Sequence, residues 1–521
     1  GGRERARGLV LLAKAEQFGA GLRSSPATSV SLPAGFAEQT LPGLPGPELG
    51  LLLWALARLR VRCSADVLEA CEEQVLSSEE GLTWQAVGQV DYFLRTFGRE
   101  EHRPSHGAAQ AGGRSEVLRC LERAGRRVMA SASSDSGSAN SAPGRLLLSL
   151  GAAGGGPTAS GGAVLVVDDV DTFVGLRARG CRARLWSRMS VGGVQGQVEP
   201  PTVAAPYKGG AVVRIWGIQS KKAGASLCLA LAAVAALVPE GAPLWVCGLE
   251  EEGAEDAVDA MSPLCSDVVE LACGGGARVL RGYRRAGAAA AAPEAFRART
   301  RLPLSEVGLE DVHDWHVWPG LFAGGTLDIM TALLLRRLLK AELPPDAAVL
   351  DFCSGSGALA RALAERRPAP AELHLADADA LALDAARQNL AAYGAECYLG
   401  DGWRAVPEGL AFDWVVSNPP LHSRVQYDFR VLEHLVAGAG PRLRPGGQLW
   451  LVVQVQVPLG PLLSRHGFRV RCESDGRFAI WRAWLPEAPS PAPALAGQVA
   501  ASAEVAGQQA ARAWRQDSRK K

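Results

Sequence analysis

The chemistry in this chain of 521 residues concentrates around one short tract, Phe412-Asp-Trp-Val-Val-Ser-Asn-Pro-Pro-Leu421. An apolar run ending in an amide and two prolines reads as a strand brought to a stop. Proline gives no ladder hydrogen bond and fixes φ, so the backbone that presents Asn418 is held still. Three acids lie upstream, each where another apolar run ends: Asp351 after Ala347-Ala-Val-Leu, Asp377 after Glu372-Leu-His-Leu-Ala, and Asp401 after Glu396-Cys-Tyr-Leu-Gly. Asp351 leads into Phe-Cys-Ser-Gly355-Ser-Gly357 and a helical pattern from Ala358 to Glu365, which is strand, glycine turn, helix. Glycines at 355 and 357 let the backbone approach a ligand closely, while Asp351 either receives an ammonium or hydroxyl group or caps the next helix. Asp377 comes 26 positions after Asp351 (351 to 377), where an acid can bind both hydroxyls of a ribose. Asp401 is suitably placed to accept from an adenine amine. Three strand ends converging on one site point to a ligand built on a nucleoside.

Elements in alternating order must position these residues. Strands ending at Asp351, Asp377, Asp401 and Asn418, with helices at Ala358 to Glu365 and Ala380 to Tyr393 between them, predict an α/β unit with a parallel sheet. The whole chain is three or four times the size of a typical domain, and its 60 glycines and 32 prolines cluster at composition breaks. Those breaks predict a helical segment over 1–130, a low-complexity linker over 131–162, an α/β unit over 163–287, a linker over 288–301, the unit just described over 302–486, and a Pro/Ala-rich tail with a basic end over 487–521.

Composition narrows the class of function. Hydrophobic residues at 48% and charged residues at 21% argue against a wholly disordered or fibrous protein. Lys+Arg 55 against Asp+Glu 54 leaves a formal charge of +1, so nucleic-acid contact requires local patches. Candidate patches are Arg177 to Arg188, Arg278 to Arg285 and the tail. The 11 cysteines contain no C-x-x-C pair, so no metal site or disulfide framework is expected. The longest apolar run, Ala223 to Val238, is shorter than the roughly 20 residues of a membrane span. It predicts a buried helix and no membrane association. The chain begins Gly-Gly-Arg, so its N-terminus is expected to be incomplete.

In the first segment, Leu49 to Leu59 and Val67 to Leu76 carry helical patterns, and Trp54-Ala-Leu-Ala-Arg-Leu59 recurs loosely 38 residues on as Tyr92-Phe-Leu-Arg-Thr-Phe97 (54 to 92). It weakly resembles octotricopeptide and FAST-kinase-like helical repeats; an ordinary helical hairpin packed on a neighbour is the alternative. The unit over 163–287 offers strands at Ala163 to Val167, Val212 to Trp216, Pro243 to Cys247 and Arg278 to Leu280, without a G-x-G turn or an Asn-Pro-Pro. It is expected to serve as a scaffold or in recognition.

Asn418-Pro-Pro420 resembles the methyltransferases that act on exocyclic amines of bases or on amides. Trp318-Pro-Gly-Leu-Phe322 with Leu327-Asp328, Leu443-Arg-Pro-Gly-Gly447, His466-Gly-Phe468 and Gly476-Arg-Phe-Ala-Ile-Trp-Arg482 narrow the resemblance. They are similar to bacterial small-subunit ribosomal RNA guanine-N2 methyltransferases, whose chain is a duplicated methyltransferase with an inactive first copy. The resemblance implies a seven-stranded class I methyltransferase sheet preceded by a degenerate copy and a helical segment. It implies S-adenosylmethionine as cofactor, bound by Asp351, Gly355, Gly357, Asp377 and Asp401 with Asp328 near the methionine end. It implies that Asn418, Pro419 and Pro420 carry catalysis, with the Asn418 oxygen and the Pro419 carbonyl accepting from the target amine, and that Leu421 and His422 lie on the substrate. Cys353 stands where the family has the first glycine of its turn, and Leu421 where it has an aromatic. Packing is the reading of Cys353, since no base is placed to activate it. The implied partner is ribosomal RNA or the small ribosomal subunit, in the cytoplasm or an organelle. The alternatives are a protein glutamine-amide methyltransferase and a non-catalytic RNA-binding assembly factor.

Overall fold

Helices come first. The computed structural model describes chiefly residues 44–97, 116–128, 164–190, 209–214, 223–288, 291–423 and 426–486. Helix α1 (Gly46–Arg58) starts beside Pro45, with Glu48 in its first turn and Arg58 in its last, charges that suit the two ends of the helix dipole. α2 (Ala65–Ser77) is capped by Ser64, whose side chain accepts from the Val67 amide. α3 (Trp84–Phe97) crosses α1 so closely that a Cβ on Gly50 would lie 2.6 Å from Ala86 Cα. Leu49, Leu52, Leu53 and Leu56 are fully buried between them. Helices thus make up most of the described part of this segment.

The next unit alternates strands and helices: β1 (Val164–Val167), α4 (Val170–Ala178), β2 (Arg182–Leu185), β3 (Ala211–Arg214), α5 (Ala223–Ala235), β4 (Pro243–Leu249), α6 (Ala257–Met261), β5 (Cys265–Gly274) and β6 (Ala277–Arg284). Its sheet has the order β2-β1-β3-β4-β6-β5, parallel through β4 and antiparallel at β6 and β5. Of the apolar run Ala223 to Val238, Ala223–Ala235 form helix α5, buried along its second half.

The third unit carries β9 (Ala348–Phe352), α8 (Ala358–Glu365), β10 (Glu372–Asp377), α9 (Ala380–Asn389), β11 (Glu396–Leu399), β12 (Phe412–Ser417), β13 (His422–Ser423), β14 (Gln426–Tyr427), α10 (Arg430–Ala439), β15 (Leu443–Gln454), α11 (Leu459–Arg465), β16 (Arg469–Ser474) and β17 (Phe478–Trp484). Before β9 come the antiparallel pair β7 (Ala298–Leu302) and β8 (Val312–Val317), then helix α7 (Ile329–Leu338). The seven strands run β11-β10-β9-β12-β15-β17-β16, with β17 antiparallel to both neighbours. This is the class I methyltransferase order, and the first sheet repeats it without the outermost strand. Helices α7, α8 and α9 build one core against Val349, Trp414, Val416 and Val452. Helices α10 and α11 build the other, against Leu350, Val415, Leu449 and Leu451. Covered on both faces, the central strands are continuous apolar runs.

The stretch 288–301 departs from the linker expected of it. Ala298–Leu302 is a strand, because Leu302 is fully buried and pairing with β8 satisfies the backbone. The pair is tied to α9: the Asn389 side chain accepts from the His316 amide at 2.8 Å and donates to the His316 carbonyl at 3.0 Å. The tail 487–521 and nearly all of 131–162 lie outside the described residues.

The three units touch. Trp54 Nε1 donates to the Gly476 carbonyl at 3.2 Å across 422 positions of chain. Arg95 lies 4.7 Å from the Trp481 ring centroid, and a Cβ on Gly88 would fall 2.0 Å from the Gln456 carbonyl oxygen. The helices are thus fitted to the β16–β17 hairpin without spare room.

Candidate active site

The carboxyl ends of β9, β10 and β12 meet because those strands are adjacent in the sheet. At the end of β12, the fully buried Ser417 donates to the Phe352 carbonyl at 2.5 Å, locking this strand end to that of β9. The next residue is Asn418. Its Nδ2 donates to Asp328 Oδ2 at 2.7 Å and to Thr331 Oγ1 at 3.0 Å. Asp328 is the N-cap of α7, accepting from the Met330 amide at 3.2 Å and from the Thr331 amide and hydroxyl at 3.1 Å each. A carboxylate only accepts, so it dictates which end of the amide faces it. Both hydrogens of the Asn418 amide are engaged behind the site, and its oxygen is left as an acceptor. Pro419 is buried and Pro420 exposed.

The turn after β9 wraps the end of β10. Cys353 and Ser354 donate their amides to the Ala376 carbonyl at 2.8 and 3.2 Å, and the Gly355 amide donates to Asp377 Oδ2 at 2.8 Å. Gly355 has φ +55° and open space where a Cβ would project, so the backbone there is bare to a ligand. Gly357, at φ +86°, is different: a Cβ would meet Leu390 Cδ1 at 2.8 Å, so this glycine admits helix packing. Asp377 Oδ1 also accepts from the Asp379 amide at 2.8 Å, the Ala378 amide bears on the same carboxylate, and acceptor capacity remains beyond these three amides. Burial, reinforced by the Asp379 charge, pushes the Asp377 carboxyl up to about 6. The Ser354 hydroxyl oxygen is buried with no hydrogen-bond partner among the described residues. A bare glycine turn, an acid with lone pairs to spare and an unsatisfied hydroxyl fit the ribose and adjoining groups of S-adenosylmethionine.

The remaining expected residues divide. Asp351 is 1% exposed and accepts from the Ala360 amide in the first turn of α8 at 3.1 Å, which is the helix-capping alternative. Burial raises its carboxyl to about 8. Asp401 is exposed and begins a short turn without capping it by its side chain. Leu421 is 5% exposed in the core beneath α10, so this position, expected to face substrate, packs with Phe429 and Leu432 instead. His422 pairs with Tyr427 in a two-stranded ribbon, and its side chain lies outside the described residues. Cys353 holds φ +61°, the left-handed conformation of the glycine it replaces. Burial, with Asp377 and Asp351 adjoining, keeps its thiol protonated well above the usual range, in keeping with packing.

Sequence reading missed three contributors. Thr331 and Ser417 do their work by hydrogen bonds; the only sequence signal for the first was its place three residues after the Asp328 cap. Arg188 comes from the first α/β unit, across 191 positions: its Nε donates to Asp379 Oδ1 at 3.0 Å and its Nη1 to the Pro319 carbonyl at 3.3 Å, while Nη2 pairs with Oδ2. The Ser190 amide donates to the Ala378 carbonyl at 2.7 Å and the Ala380 amide to the Arg188 carbonyl at 2.8 Å. One unit is thereby hydrogen-bonded to the turn following Asp377 of the other. Part of each basic cluster is therefore engaged within the protein. Arg188 is taken by Asp379, Arg278 by Glu250 and Glu270, and Arg284 and Arg285 by backbone carbonyls.

Among the described residues, no group of three or more His, Cys, Asp or Glu could hold a metal ion. No helix among them is long and apolar enough to cross a membrane.

Residues 314–482 match the methyltransferase small domain family. A Pseudomonas aeruginosa protein named ribosomal RNA small subunit methyltransferase C is 39% identical over 193 residues, 36% of this chain and 55% of the relative. Its namesake from Pseudomonas entomophila is 38% identical over 194 residues, again 36% and 55%. The chain spans about half the length of the curated relatives it matches. A solved structure, the T. thermophilus 16S rRNA N2 G1207 methyltransferase in complex with AdoMet and guanosine, is 23% identical with a TM-score of 0.48, covering 62% of this chain and 88% of its own.

Proposed function

We propose that this chain is an S-adenosylmethionine-dependent methyltransferase acting on an exocyclic base amine, guanine N2 of small-subunit ribosomal RNA, in a compartment that holds ribosomes, cytoplasm or organelle. The observation that carries the reading is the Asn418 amide, turned by Asp328 and Thr331 so that its oxygen is presented as an acceptor. When bound, S-adenosylmethionine supplies a sulfonium methyl whose carbon passes to the amine nitrogen as its bond to sulfur breaks. Asn418 Oδ1 and the Pro419 carbonyl accept the two amine hydrogens and orient the nitrogen lone pair. Asp328, already accepting from three groups of its own helix besides Asn418, acts on that orientation, and the surplus amine proton leaves to solvent. Positioning carries most of the rate enhancement in such a site. Asp377 and the Gly355 turn hold the nucleoside end of the cofactor.

The test is transfer of labelled methyl from S-adenosylmethionine into ribosomal RNA, small subunits and total protein, with Asn418→Ala in parallel. Label in RNA, abolished by the substitution and recovered as N2-methylguanosine on digestion, is the expected result. Label confined to protein would favour glutamine-amide methylation, and label in neither fraction would favour the binding-factor alternative.

A further inference from the structure

On the sheet face lined by α7, the outer strands carry a positively charged hollow unrelated to the site above. Val470 and Cys472 of β16 pack into the opposite core, so Arg469, Arg471 and Glu473 point to the α7 side. Across β17 they pair with Trp484, Arg482 and Ile480, and Trp450 of β15 pairs with Arg482. Arg337 and Lys340 at the end of α7 close the rim. The hollow encloses about 160 Å³, floored by Trp450, Ile480 and Ala341, with Glu473 as the lone acid among four cations.

Glu473 accepts from Arg337 at 2.7 Å and lies 3.8 Å from Arg471. One carboxylate shared between two guanidiniums leaves net positive charge. Arg482 has no carboxylate partner among the described residues; it lies 5.5 Å and 5.8 Å from the Trp450 and Trp484 ring centroids, and its Nε is buried without a hydrogen-bond partner. Lys340 is exposed and pairs with no acid among the described residues. Elsewhere in this chain, at a formal +1 overall, Arg188 is paired with Asp379 and Arg278 with Glu250 and Glu270. Four cations converging on one hollow repel one another, which favours a site where an anion supplies the missing charge. Planar guanidiniums held by indole faces suit phosphate oxygens, which accept from their forked donors.

We infer that this hollow is a contact site for the phosphodiester backbone of RNA, taking the substrate strand on one side of the target nucleotide. The inference rests on the function just proposed, and α7 supplies the geometry. That helix begins at the Asp328 cap behind Asn418 and ends at the hollow, a run of 10 residues. At about 1.5 Å per residue it spans about 15 Å, or about four phosphates at the roughly 3.4 Å axial spacing of a helical strand.

The test uses the full chain with Lys340→Glu and Arg471→Glu combined, both side chains lying at the exposed rim. The measurement is affinity for a small-subunit ribosomal RNA fragment over a range of salt, with S-adenosylmethionine calorimetry on the same samples. The reversal is expected to weaken RNA binding by about tenfold or more and to flatten the salt slope by about 1.4, at roughly 0.7 per phosphate contact. The charge-conserving pair Lys340→Arg and Arg471→Lys should keep the parent affinity, and cofactor affinity should not change. RNA affinity and slope unchanged by the reversal would overturn the inference, as would a hollow that binds inorganic phosphate yet leaves RNA affinity indifferent to the reversal. Methyl transfer to RNA that proceeds while the reversal is silent would sink this surface and keep the function. Loss of RNA affinity on reversal in a chain that methylates nothing would keep the surface and sink the function.

Discussion

Arg188→Ala should loosen the cofactor-binding turn from a distance. The Arg188 and Asp379 side chains are 17% and 14% exposed, between a surface pair and a fully buried one. Surface pairs contribute about 0–1 kcal/mol, and deleting one partner of a buried pair costs about 3–5 kcal/mol. Asp379 keeps one compensation, since its Oδ1 also accepts from the Leu381 amide at 3.0 Å as the cap of α9. Loss of the guanidinium therefore costs about 2 kcal/mol, concentrated on the β10–α9 turn. Amide hydrogen exchange over 376–384 reads that cost directly: at about 1.4 kcal/mol per tenfold, opening should become about 30 times more frequent. Asp379, stripped of its counter-charge, would also act more strongly on Asp377 and hold that carboxyl protonated to higher pH. Arg188→Lys keeps the charge and loses the fork, so it should recover only part of the protection. Exchange in Arg188→Ala within twofold of the parent would refute the claim that the first α/β unit braces this turn.

Three further outcomes follow from the site. Thr331→Val removes one of the two acceptors for the Asn418 amide and should slow methyl transfer about three- to tenfold, with cofactor affinity in calorimetry held; a normal rate would show that the amide is oriented without it. Asp377 titrates near 6 in the folded protein and near 4 unfolded. The folded state binds the extra proton, so stability of the free protein should fall as pH rises from about 4, with the Asp377 share of the fall complete near 6 and that of Asp351 continuing to about 8. Cofactor hydroxyls need the ionised acceptor, so affinity should climb through the same window, by up to about tenfold per unit below pH 6; a flat calorimetric profile from pH 5 to 8 would contradict the assignment. Cys353→Gly removes a left-handed strain of about 1–2 kcal/mol and also a buried side chain, so stability in denaturant should move by less than about 1 kcal/mol, while cofactor affinity rises as the approach to the turn widens. Weaker binding would mean that the thiol packs to hold the turn in shape.

The legible parts of this protein were those written locally. Buried parallel strands appear as apolar runs, and an acid or amide where each run stops marks the same end of the sheet, so Asp377 and Asn418 could be placed on one rim from their spacing. Burial decided what spacing could not. Asp351 and Asp377 look alike in sequence, yet one is sealed beneath α8 and caps it while the other keeps lone pairs toward the turn. Leu421 follows Asn-Pro-Pro, but an aliphatic chain at a strand end falls naturally into the core. The strand Ala298–Leu302, with the sequence Ala-Arg-Thr-Arg-Leu, has no apolar alternation to announce it, since only its last residue is fully buried. Arg188 and Asp328 act through partners 191 and 90 positions away, and no local pattern encodes a partner at that distance.

The seating of the N-terminal helices on the last hairpin has a consequence for the order in which the molecule can be made. Trp54 and Gly88 meet residues 455–481, which leave the ribosome about 400 residues later. At roughly 5–20 residues per second, the first helices wait on the order of half a minute for the surface that covers them. During that interval Trp54 and the face of α3 that carries Gly88, Asp91 and Arg95 are uncovered. The two sheets, whose contacts are nearer in sequence, can close in turn, and α1–α3 dock last although they were synthesised first. Emergence of the β16–β17 hairpin is then the moment at which these helices can be covered.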